Sequence, residues 1–270
     1  CDHGNCFVDS SCWTVWAGKI IMNSKTKLLY GILVAIALLL PFQDFIYLVF
    51  AMKVLCFALF ACAFNLLLGF TGLLSFGHAA FFGTSAYITA YLCKEAGFSP
   101  ELGILLGVLG SGVLGFLIGS LAIRRQGIYF AMVTLALSQM IYFLAVQLPF
   151  TGGEDGIQGV PRGDLFGLID LKNDVAMYYF VLAVFLFGFT LIYRVIHSPF
   201  GQVLKSIREN EPRALSLGYD VAKFKLTAFV LSGTLAGMAG AAKSLALGLA
   251  TLTDVGWQMS GEVVLMTLLG

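Results

Sequence analysis

Apolar runs of membrane-spanning length recur along this chain, and they constrain its fold more than any other feature. A transmembrane helix needs about 20 predominantly apolar residues. The candidate runs lie at about 28–42, 45–68, 76–93, 101–123, 127–148, 176–193, 224–248 and from about 258 onward. They predict an all-α fold, a polytopic α-helical integral membrane protein with about eight visible spans. No polar flank follows the last run, so we expect that span to be truncated and further spans to follow.

The scarcity of charge supports the same fold class. Charged residues make up 11% of the sequence and hydrophobic residues 59%, whereas soluble domains carry about 25% charged residues. Such a chain cannot cover a water-facing surface, which excludes a soluble globular domain. The formal net charge of +1 creates no overall positive field, so the composition does not point to a nucleic-acid partner.

The N-terminal segment differs from the rest of the chain. Residues 1–21 contain the cluster "CDHGNCFVDSSC" and no methionine, and Met22 begins "MNSKTK" just before the first apolar run. The spacing of these cysteines and His3 matches no standard zinc pattern, so we predict no metal site. We expect residues 1–21 to be an upstream or non-native segment and residues 22–270 to form the membrane domain.

The distribution of basic residues predicts how the spans are oriented. Cytoplasmic loops carry an excess of Lys and Arg, and the first run is preceded by Lys19, Lys25 and Lys27. This places the N-terminus in the cytoplasm. Counting the runs then puts the basic loop 194–225 inside and the acidic, glycine-rich loop 149–175 outside, in agreement with the charge of both loops.

Residues 198–220 form the longest stretch of soluble-like composition, and they show a helical pattern. Ser198 is a suitable helix N-cap, Pro199 fits a first helical turn, and Gly218 is a suitable helix stop. Pro212 cannot continue a helix, so we expect a break just before it and a second short helix from that point. Apolar positions recur along one face, at Val203, Leu204, Ile207, Ala214 and Leu215.

Two interpretations of this stretch are open. A basic amphipathic helix can lie on the bilayer surface, and an apolar ridge with a charged rim can dock into a groove of a soluble partner. The break into two helices and the glutamates among the basic residues favour the second interpretation modestly.

The stretch "NLLLGFTGLLSFGHAAFFGTSAY", residues 65–87, combines dense glycine with polar side chains at the junction of two runs. It predicts an interrupted or re-entrant helix, which persists in a membrane only where protein or water satisfies its backbone. Broken helices of this kind often line transport sites. We expect His78 to make a structural hydrogen bond or to line a path, since no second histidine lies in any run. The residues predicted to line a substrate path are Asn65, Thr71, Ser75, Gly77 and His78.

Few ionisable residues lie inside the runs. Lys53 and Lys243 lie toward the ends of their runs, where we expect their side chains to snorkel to the interface. Carboxylates are almost absent from the runs between residues 28 and 248, which argues against an ion-coupled transporter. Glu262 enters the last run with no adjacent cation. No P-loop, Rossmann fingerprint or zincin motif occurs, so energy for transport has to come from an ion gradient or from another polypeptide.

Four stretches together resemble the permease subunits of branched-chain amino-acid ABC importers, and the LivM-like branch in particular. They are "GLLSFGHAAFFGTSAY" (72–87), "TGGEDGIQGVPR" (151–162), "SPFGQVLKSIRENEPRALSLGYDVAKFKLTAFVLSGTLAGMAGA" (198–241) and "SGEVVLMTLLG" (260–270). The resemblance implies a non-enzymatic permease in the bacterial cytoplasmic (inner) membrane, without a cofactor of its own.

The same resemblance implies the partners. They are a second permease subunit, two cytoplasmic ATP-binding subunits that hydrolyse ATP, an extracytoplasmic substrate-binding protein and membrane lipid, with no nucleic acid. In this family the loop matching 198–220 couples to the ATPases, and "ENEPRALSLG" is similar to the E-A-A…G signature of ABC importers. The residues implied to couple are Ser198, Pro199, Gly201, Leu204, Ile207, Arg208, Glu209, Glu211, Ala214, Leu217 and Gly218.

The implied substrate is a small neutral amino acid such as leucine, isoleucine or valine, and a sparsely charged path suits its apolar side chain. Two alternatives are open. One is an importer of the same class that carries urea or a short amide, and the other, from a different class, is an ion-coupled secondary transporter.

Overall fold

Apolar runs and their capping residues produce helices along most of the chain. A computed structural model describes residues 47–125, 127–165 and 169–269. The predicted span at 28–42, the segment 1–21 and the expected start at Met22 lie outside the described residues. The described α-helices are α1 (Leu48–Thr71), α2 (His78–Lys94), α3 (Pro100–Ala122), α4 (Ile128–Gln147), α5 (Asp174–Ile196), α6 (Pro199–Glu209), α7 (Glu211–Ser216), α8 (Val221–Leu247) and α9 (Trp257–Leu269).

Short strands and 3-10 turns fill connections at one end of the bundle. The strands β1 (Ile157–Gln158) and β4 (Leu249–Ala250) pair antiparallel, as do β2 (Asp164–Leu165) and β3 (Ile169–Asp170). The 3-10 turns cover Pro149–Thr151, Gly153–Asp155 and Leu252–Asp254. The β1–β4 pair joins the α4–α5 connection to the chain that follows α8.

Five of these helices are long and apolar enough to cross a membrane, namely α1, α3, α4, α5 and α8. They confirm a polytopic all-α membrane fold and match the predicted spans at 45–68, 101–123, 127–148, 176–193 and 224–248. The two other predicted runs within the described residues form shorter helices, α2 with 17 residues and α9 with 13. The count of about eight spans and the cytoplasmic N-terminus stay predictions.

The helix α8 is the most enclosed of the five. In the 18-residue apolar segment of α8, 61% is buried inside the protein, compared with 28% to 44% in the corresponding segments of the other four helices. A Cβ at Gly237 would lie 2.0 Å from Ser111 Oγ, and one at Gly240 would lie 2.0 Å from the Phe82 carbonyl oxygen. These glycines therefore let α8 pack directly against α3 and α2, as small residues commonly do between membrane helices.

Two polar regions lie at opposite ends of α8. At its first turn, Lys225 pairs with Glu211 of α7 at 2.9 Å. At its last turn, the Ala246 carbonyl oxygen accepts a hydrogen bond from Arg162 at 2.7 Å. The first region is the island, residues 198–220, and it defines the island end of the bundle. The second carries the α4–α5 connection and defines the loop end.

The predicted interruption between the second and third runs is confirmed. The helix α1 ends at Thr71, and residues 72–77 lead to α2 without α-helical structure. Gly72 has φ 71°, a conformation that favours glycine. At the start of α2, His78 Nε2 lies 2.8 Å from Ser232 Oγ. At 1.5 Å per residue, α8 is about 40 Å long and Ser232 lies about 16 Å from its start. The helix α2 therefore begins near the middle of the length of α8. This level of the bundle is here called the middle layer.

A second break follows α8. The chain returns from the loop end alongside α2, where a Cβ at Gly83 would lie 2.3 Å from Val255 Cγ2. Near the start of α9, Ser260 Oγ accepts a hydrogen bond from the Ala79 N–H at 3.0 Å. Both α2 and α9 therefore begin at the middle layer. The chain reaches α2 from the island end and α9 from the loop end.

Candidate functional site

His78 lies in a closed, aromatic environment at the middle layer. Its side chain is fully buried, and the rings of Phe64, Phe81 and Phe229 stand edge-on to it at centroid distances of 5.1 to 5.7 Å. Because the Ser232 hydroxyl donates to a carbonyl oxygen of α1, it accepts its hydrogen bond from His78. The His78–Ser232 hydrogen bond thereby joins α2, α8 and α1. Two roles were expected for His78, a structural hydrogen bond or a path lining, and this geometry matches the structural role.

Three further residues predicted for the path hold the backbone of the α1–α2 link. Thr71 Oγ1 donates to a carbonyl oxygen one turn back at 2.5 Å, and Ser75 Oγ accepts from the Gly77 N–H at 3.2 Å. A Cβ at Gly77 would lie 3.0 Å from the Thr134 carbonyl oxygen of α4. The structure brings Ser75, Gly77 and His78 together in the protein interior, and their assignment to a substrate path stays a prediction.

Asn65 stands apart from the other predicted path residues. It is exposed on α1, and its Oδ1 lies over Gly69, 2.6 Å from where a Cβ would be. The exposed side of α1 continues through Gly72 toward the island end. A polar side chain on an apolar helix is costly to expose to lipid, so this side of α1 suits contact with protein or water.

The second break is closed by a buried ion pair that sequence reasoning missed. Lys243 Nζ of α8 contacts Asp254 Oδ1, with side-chain exposures of 6% and 1%. Asp254 also accepts a hydrogen bond from the Thr251 hydroxyl at 3.0 Å, and the Lys243 ammonium lies near the rings of Phe57 and Phe82. The expectation that Lys243 snorkels to the interface is therefore wrong, because an internal carboxylate neutralises its charge.

A polar cavity of about 770 Å³ lies between α4, the loop end and the start of α9. Its carboxylates are Glu154 of the α4–α5 connection and Glu262 of α9, and Gln258 precedes Glu262 by about one helical turn. Sequence reasoning singled out Glu262 but missed Gln258 and Thr253, because only the fold brings the loop end and α9 together. The remaining lining residues are Tyr142, Phe143, Val146, Leu252, Gly256 and Met259.

The described residues offer no metal site in this cavity or elsewhere. No group of three or more His, Cys, Asp or Glu side chains within the described ranges could hold a metal ion. The three described cysteines are free, and they lie at Cys56, Cys62 and Cys93 on α1 and α2.

The island folds as its capping residues predict. Ser198 Oγ accepts from a backbone N–H at 3.5 Å at the start of α6, and Asn210 Oδ1 accepts from the Arg213 N–H at 3.1 Å at the start of α7. Pro212 occupies the first turn of α7, and Gly218 follows α7 with φ 85°. The predicted break before Pro212 and the predicted stop at Gly218 are confirmed.

The apolar ridge of the island faces the chain itself. Leu204, Ile207 and Ala214 are 0%, 2% and 0% exposed, and a Cβ at Gly201 would lie 2.2 Å from the Ile196 carbonyl oxygen of α5. The stripe that Ile207 and Ala214 belong to packs against the first turn of α8, and the contact of these residues with an ATPase stays a prediction. These residues attach the island to the membrane helices.

Charged residues of the island also bind the chain's own helices. Arg208 donates to the Gly69 carbonyl oxygen near the end of α1, where the helix dipole favours a cation. Glu211 makes the ion pair with α8 described above. At the base of α8, a side-chain hydrogen bond from Lys223 holds the pKa of Asp220 below its ordinary value. The island is thus tied to α1, α5 and α8.

The surface that the island leaves open differs from the predicted ridge. Leu215 and Leu217 are 56% and 66% exposed, although the helical pattern had placed Leu215 on the ridge. The break at Asn210 redirects α7, and no periodicity within α6 reveals that turn. Ser198 and Pro199 are half-buried. The other exposed residues are Gln202, Lys205, Arg208, Glu209, Asn210, Pro212, Arg213, Ser216, Gly218 and Asp220.

Known proteins share this sequence pattern. A family model described as branched-chain amino acid transport system / permease component matches residues 46–270. The high-affinity branched-chain amino acid transport system permease protein LivM of Salmonella typhimurium is 29% identical over 229 residues, which cover 76% of this chain and 54% of that protein. The protein of the same name from Escherichia coli is 28% identical over the same shares of the two chains.

A third relative carries a different name. The probable branched-chain amino acid transport permease protein LivH of Methanocaldococcus jannaschii is 27% identical over 180 residues, which cover 63% of this chain and 56% of that protein. The chain therefore spans about half the length of the curated relatives it matches. No solved structure matches it.

Proposed function

The chain belongs to the branched-chain amino acid transport permease family, and on that premise we propose that it is a permease subunit of an ATP-binding cassette importer. Its proposed substrates are small neutral amino acids, with leucine, isoleucine and valine as the first choice. The names of the LivM relatives support this substrate class. In this proposal the chain catalyses no reaction and binds no cofactor, and partner subunits hydrolyse ATP.

The observation that carries the proposal is the island. It is a capped helix pair whose apolar stripe is covered by its own chain and whose open surface combines Leu215 and Leu217 with charged residues. An amphipathic helix that binds a bilayer keeps its apolar stripe for the lipid. Because the stripe of α6 is already covered, contact with a soluble protein is the better explanation of the surface that remains.

The island contacts three membrane helices directly, so a movement of the island is transmitted to them. Arg208 holds the end of α1, the Glu211–Lys225 pair joins α7 to α8, and Gly201 seats α6 against α5. In the proposed mechanism, ATP-driven movement of the island displaces the ends of α1, α5 and α8 as a rigid body. The α1–α2 link directly follows α1, so the movement reaches the middle layer through that link.

The orientation follows from charge. Arg124, Arg125 and Arg194 flank spans at the island end, and the α4–α5 connection at the loop end is rich in acids. By the positive-inside rule, we propose that the island end faces the cytoplasm of a bacterium and the loop end faces outward. One of the two ATP-binding subunits then contacts the island, and a substrate-binding protein contacts the loop end.

We propose that a second permease subunit completes the substrate path beside α1. Similarity to relatives named LivM and LivH supports a pair of related permeases. The exposed Asn65 lies on the side of α1 that would face this path. Thr71, Ser75, Gly77 and His78 support the path from behind, because they hold the α1–α2 link in place.

The docking test compares an exposed and a buried position of the island. Leu217→Asp should abolish co-purification of the ATP-binding subunits while the yield of folded chain stays unchanged. Ile207→Asp should instead lower the yield of folded chain, because it places a charge in a buried site. Val175→Asp, exposed at the loop end, is the matched control and should leave co-purification intact. Full co-purification and ATP-dependent leucine uptake by a Leu215→Asp, Leu217→Asp double variant would remove the island from the coupling mechanism.

The same preparation separates the rival functions. Leucine uptake by this chain alone in liposomes, driven by a proton or sodium gradient without ATP, would support a secondary transporter. ATP-dependent uptake of urea or a short amide, with no uptake of leucine, would support the other type of importer. ATP-dependent leucine uptake by the assembled complex supports the proposed function.

A further inference from the structure

Glu262 lies close to the middle layer of the bundle. Ser260 hydrogen-bonds to the start of α2, and Glu262 follows about 3 Å further along α9 at 1.5 Å per residue. Its side chain is exposed, and within the described ranges it forms no ion pair or hydrogen bond. An ionisable residue at this depth is rare, is normally paired, and marks a functional position when it faces a cavity.

The polar cavity connects Glu262 with the loop end. Glu154 and Thr253 line it on the side of the loop end, and Glu262 lines it on the side of the middle layer. A cavity of about 770 Å³ holds several water molecules, which can hydrate the carboxylate. This explains how the protein tolerates an unpaired carboxylate at such a depth, and it gives a solute from the loop end a way to reach Glu262.

The lining of the cavity combines two carboxylates, Glu154 at the loop end and Glu262 at the middle layer, with the positive end of a helix dipole and an apolar wall. Glu262 supplies a negative charge, and the first turn of α9 supplies backbone N–H groups at the positive end of a helix dipole. These two features lie about 6 Å apart along the helix axis. The wall consists of Phe143, Val146, Leu252 and Met259.

Two polar groups on α4 have no hydrogen-bond partner in the described part of the chain, and they lie one helical turn before residues that line this cavity. Ser138 is fully buried, and its hydroxyl finds no hydrogen-bond partner in the described part of the chain. The amide nitrogen of Gln139 is also buried without a partner. They precede the cavity-lining Tyr142 and Phe143 by one helical turn on the same faces of α4. Buried polar groups without protein partners are normally satisfied by water or a ligand.

We propose that this cavity binds the substrate as a zwitterion. Glu262 accepts the α-ammonium group, the first turn of α9 faces the carboxylate, and the apolar wall receives the side chain. The inference rests on the proposed function and deepens it, because it identifies the residue that selects the charged form of the substrate. Urea and short amides carry no ammonium group and would leave Glu262 unpaired, so this site favours an amino acid.

The test uses the complete transporter, with its partner subunits, reconstituted in proteoliposomes. Glu262→Gln preserves the shape of the side chain and removes its charge. We expect it to raise the KM for leucine about tenfold or more, because a charge-assisted hydrogen bond is lost. Glu262→Asp should recover part of the affinity. Glu95→Gln makes the same change at an exposed position outside the cavity, and it should alter the KM less than about twofold.

A second measurement does not depend on uptake. In a variant whose native cysteines are replaced, Glu262→Cys should react with a small cationic, membrane-impermeant thiol reagent applied from the loop end. Leucine should slow that reaction, because it occupies the same cavity. Labelling with protection by leucine supports the site. An unreactive cysteine in the folded, assembled complex overturns it.

The outcomes separate the inference from the proposed function. Leucine uptake by the wild-type complex together with an unchanged KM for Glu262→Gln overturns the zwitterion site and leaves the importer proposal standing. Uptake of urea and no uptake of leucine by the wild-type complex overturns both.

Discussion

The two helix breaks of this protein meet at the same level but are stabilised in opposite ways. Two neutral hydrogen bonds hold the break between α1 and α2: the Gly77 N–H donates to Ser75 Oγ, and His78 Nε2 bonds to Ser232 Oγ. The Lys243–Asp254 ion pair holds the break between α8 and α9, which also borders a polar cavity. Broken helices in a membrane need protein or water to satisfy their polar groups. This protein uses neutral hydrogen bonds at the first break and a buried ion pair beside a cavity at the second.

The difference gives the two breaks different roles. The first break is structural, and the second borders the cavity proposed to select the substrate. Three aromatic rings enclose His78, so a solute cannot reach it unless α2 moves. Glu262 lies at a similar depth but faces an open cavity. Equal depth in the membrane therefore does not imply an equal role. The decisive property is whether a solute can reach the polar group, since His78 Nδ1 is also buried without a hydrogen-bond partner in the described part of the chain.

Breaking the ion pair at the second break should have the largest effect on stability. Asp254→Ala leaves the Lys243 ammonium buried without its partner, and such a change costs about 3–5 kcal/mol. We expect the free energy of unfolding in detergent micelles to fall by that amount, measured by denaturant titration. The combination of Lys243→Met with Asp254→Leu should restore most of the loss. A loss below about 1 kcal/mol for Asp254→Ala alone would mean that the pair contributes no more than a surface ion pair.

The first break should respond to loss of a neutral hydrogen bond. Ser232→Ala leaves His78 Nε2 buried without an acceptor, which costs about 1–3 kcal/mol. Thermal unfolding followed by size-exclusion chromatography would detect the change. Ser120→Ala removes an exposed hydroxyl that bonds within its own helix, and it should cost less than about 0.5 kcal/mol. Equal stability of Ser232→Ala and wild type would show that the His78–Ser232 hydrogen bond does not stabilise the first break.

The backbone of the first break is a further point of comparison. Gly72 has φ 71°, and an alanine in that conformation costs about 1–2 kcal/mol. The new Cβ would also lie 3.3 Å from Arg208 Cγ, so Gly72→Ala should weaken the attachment of the island to α1. The same unfolding assay measures both effects. The control is Gly115→Ala in α3, where a Cβ would meet only ordinary contacts, and it should not lower the stability. A loss of stability comparable to that of Gly72→Ala would mean that the backbone conformation of Gly72 is not the cause.

The sequence could predict the local features of this fold. Apolar run length revealed the long helices, and Ser198, Pro212 and Gly218 revealed the island, because capping and turn chemistry act within a few residues. An amphipathic pattern shows that a stripe is covered but not which molecule covers it, so the inward direction of Leu204 and Ile207 could not be predicted. The Lys243–Asp254 pair and the lining around Glu262 depend on a return of the chain after α8 that no periodicity encodes.

The smallest effect on stability is expected at Glu262, and that prediction tests the comparison most directly. The side chain is exposed and unpaired within the described residues, so Glu262→Gln should change the free energy of unfolding by less than about 0.5 kcal/mol. The same denaturant titration applies, with Ser232→Ala as the destabilised reference. A Glu262→Gln variant that unfolds as readily as Ser232→Ala would mean that Glu262 helps to close the second break. Both breaks would then be structural, and any change in leucine KM would report a weakened fold and not the loss of a charge that the substrate contacts.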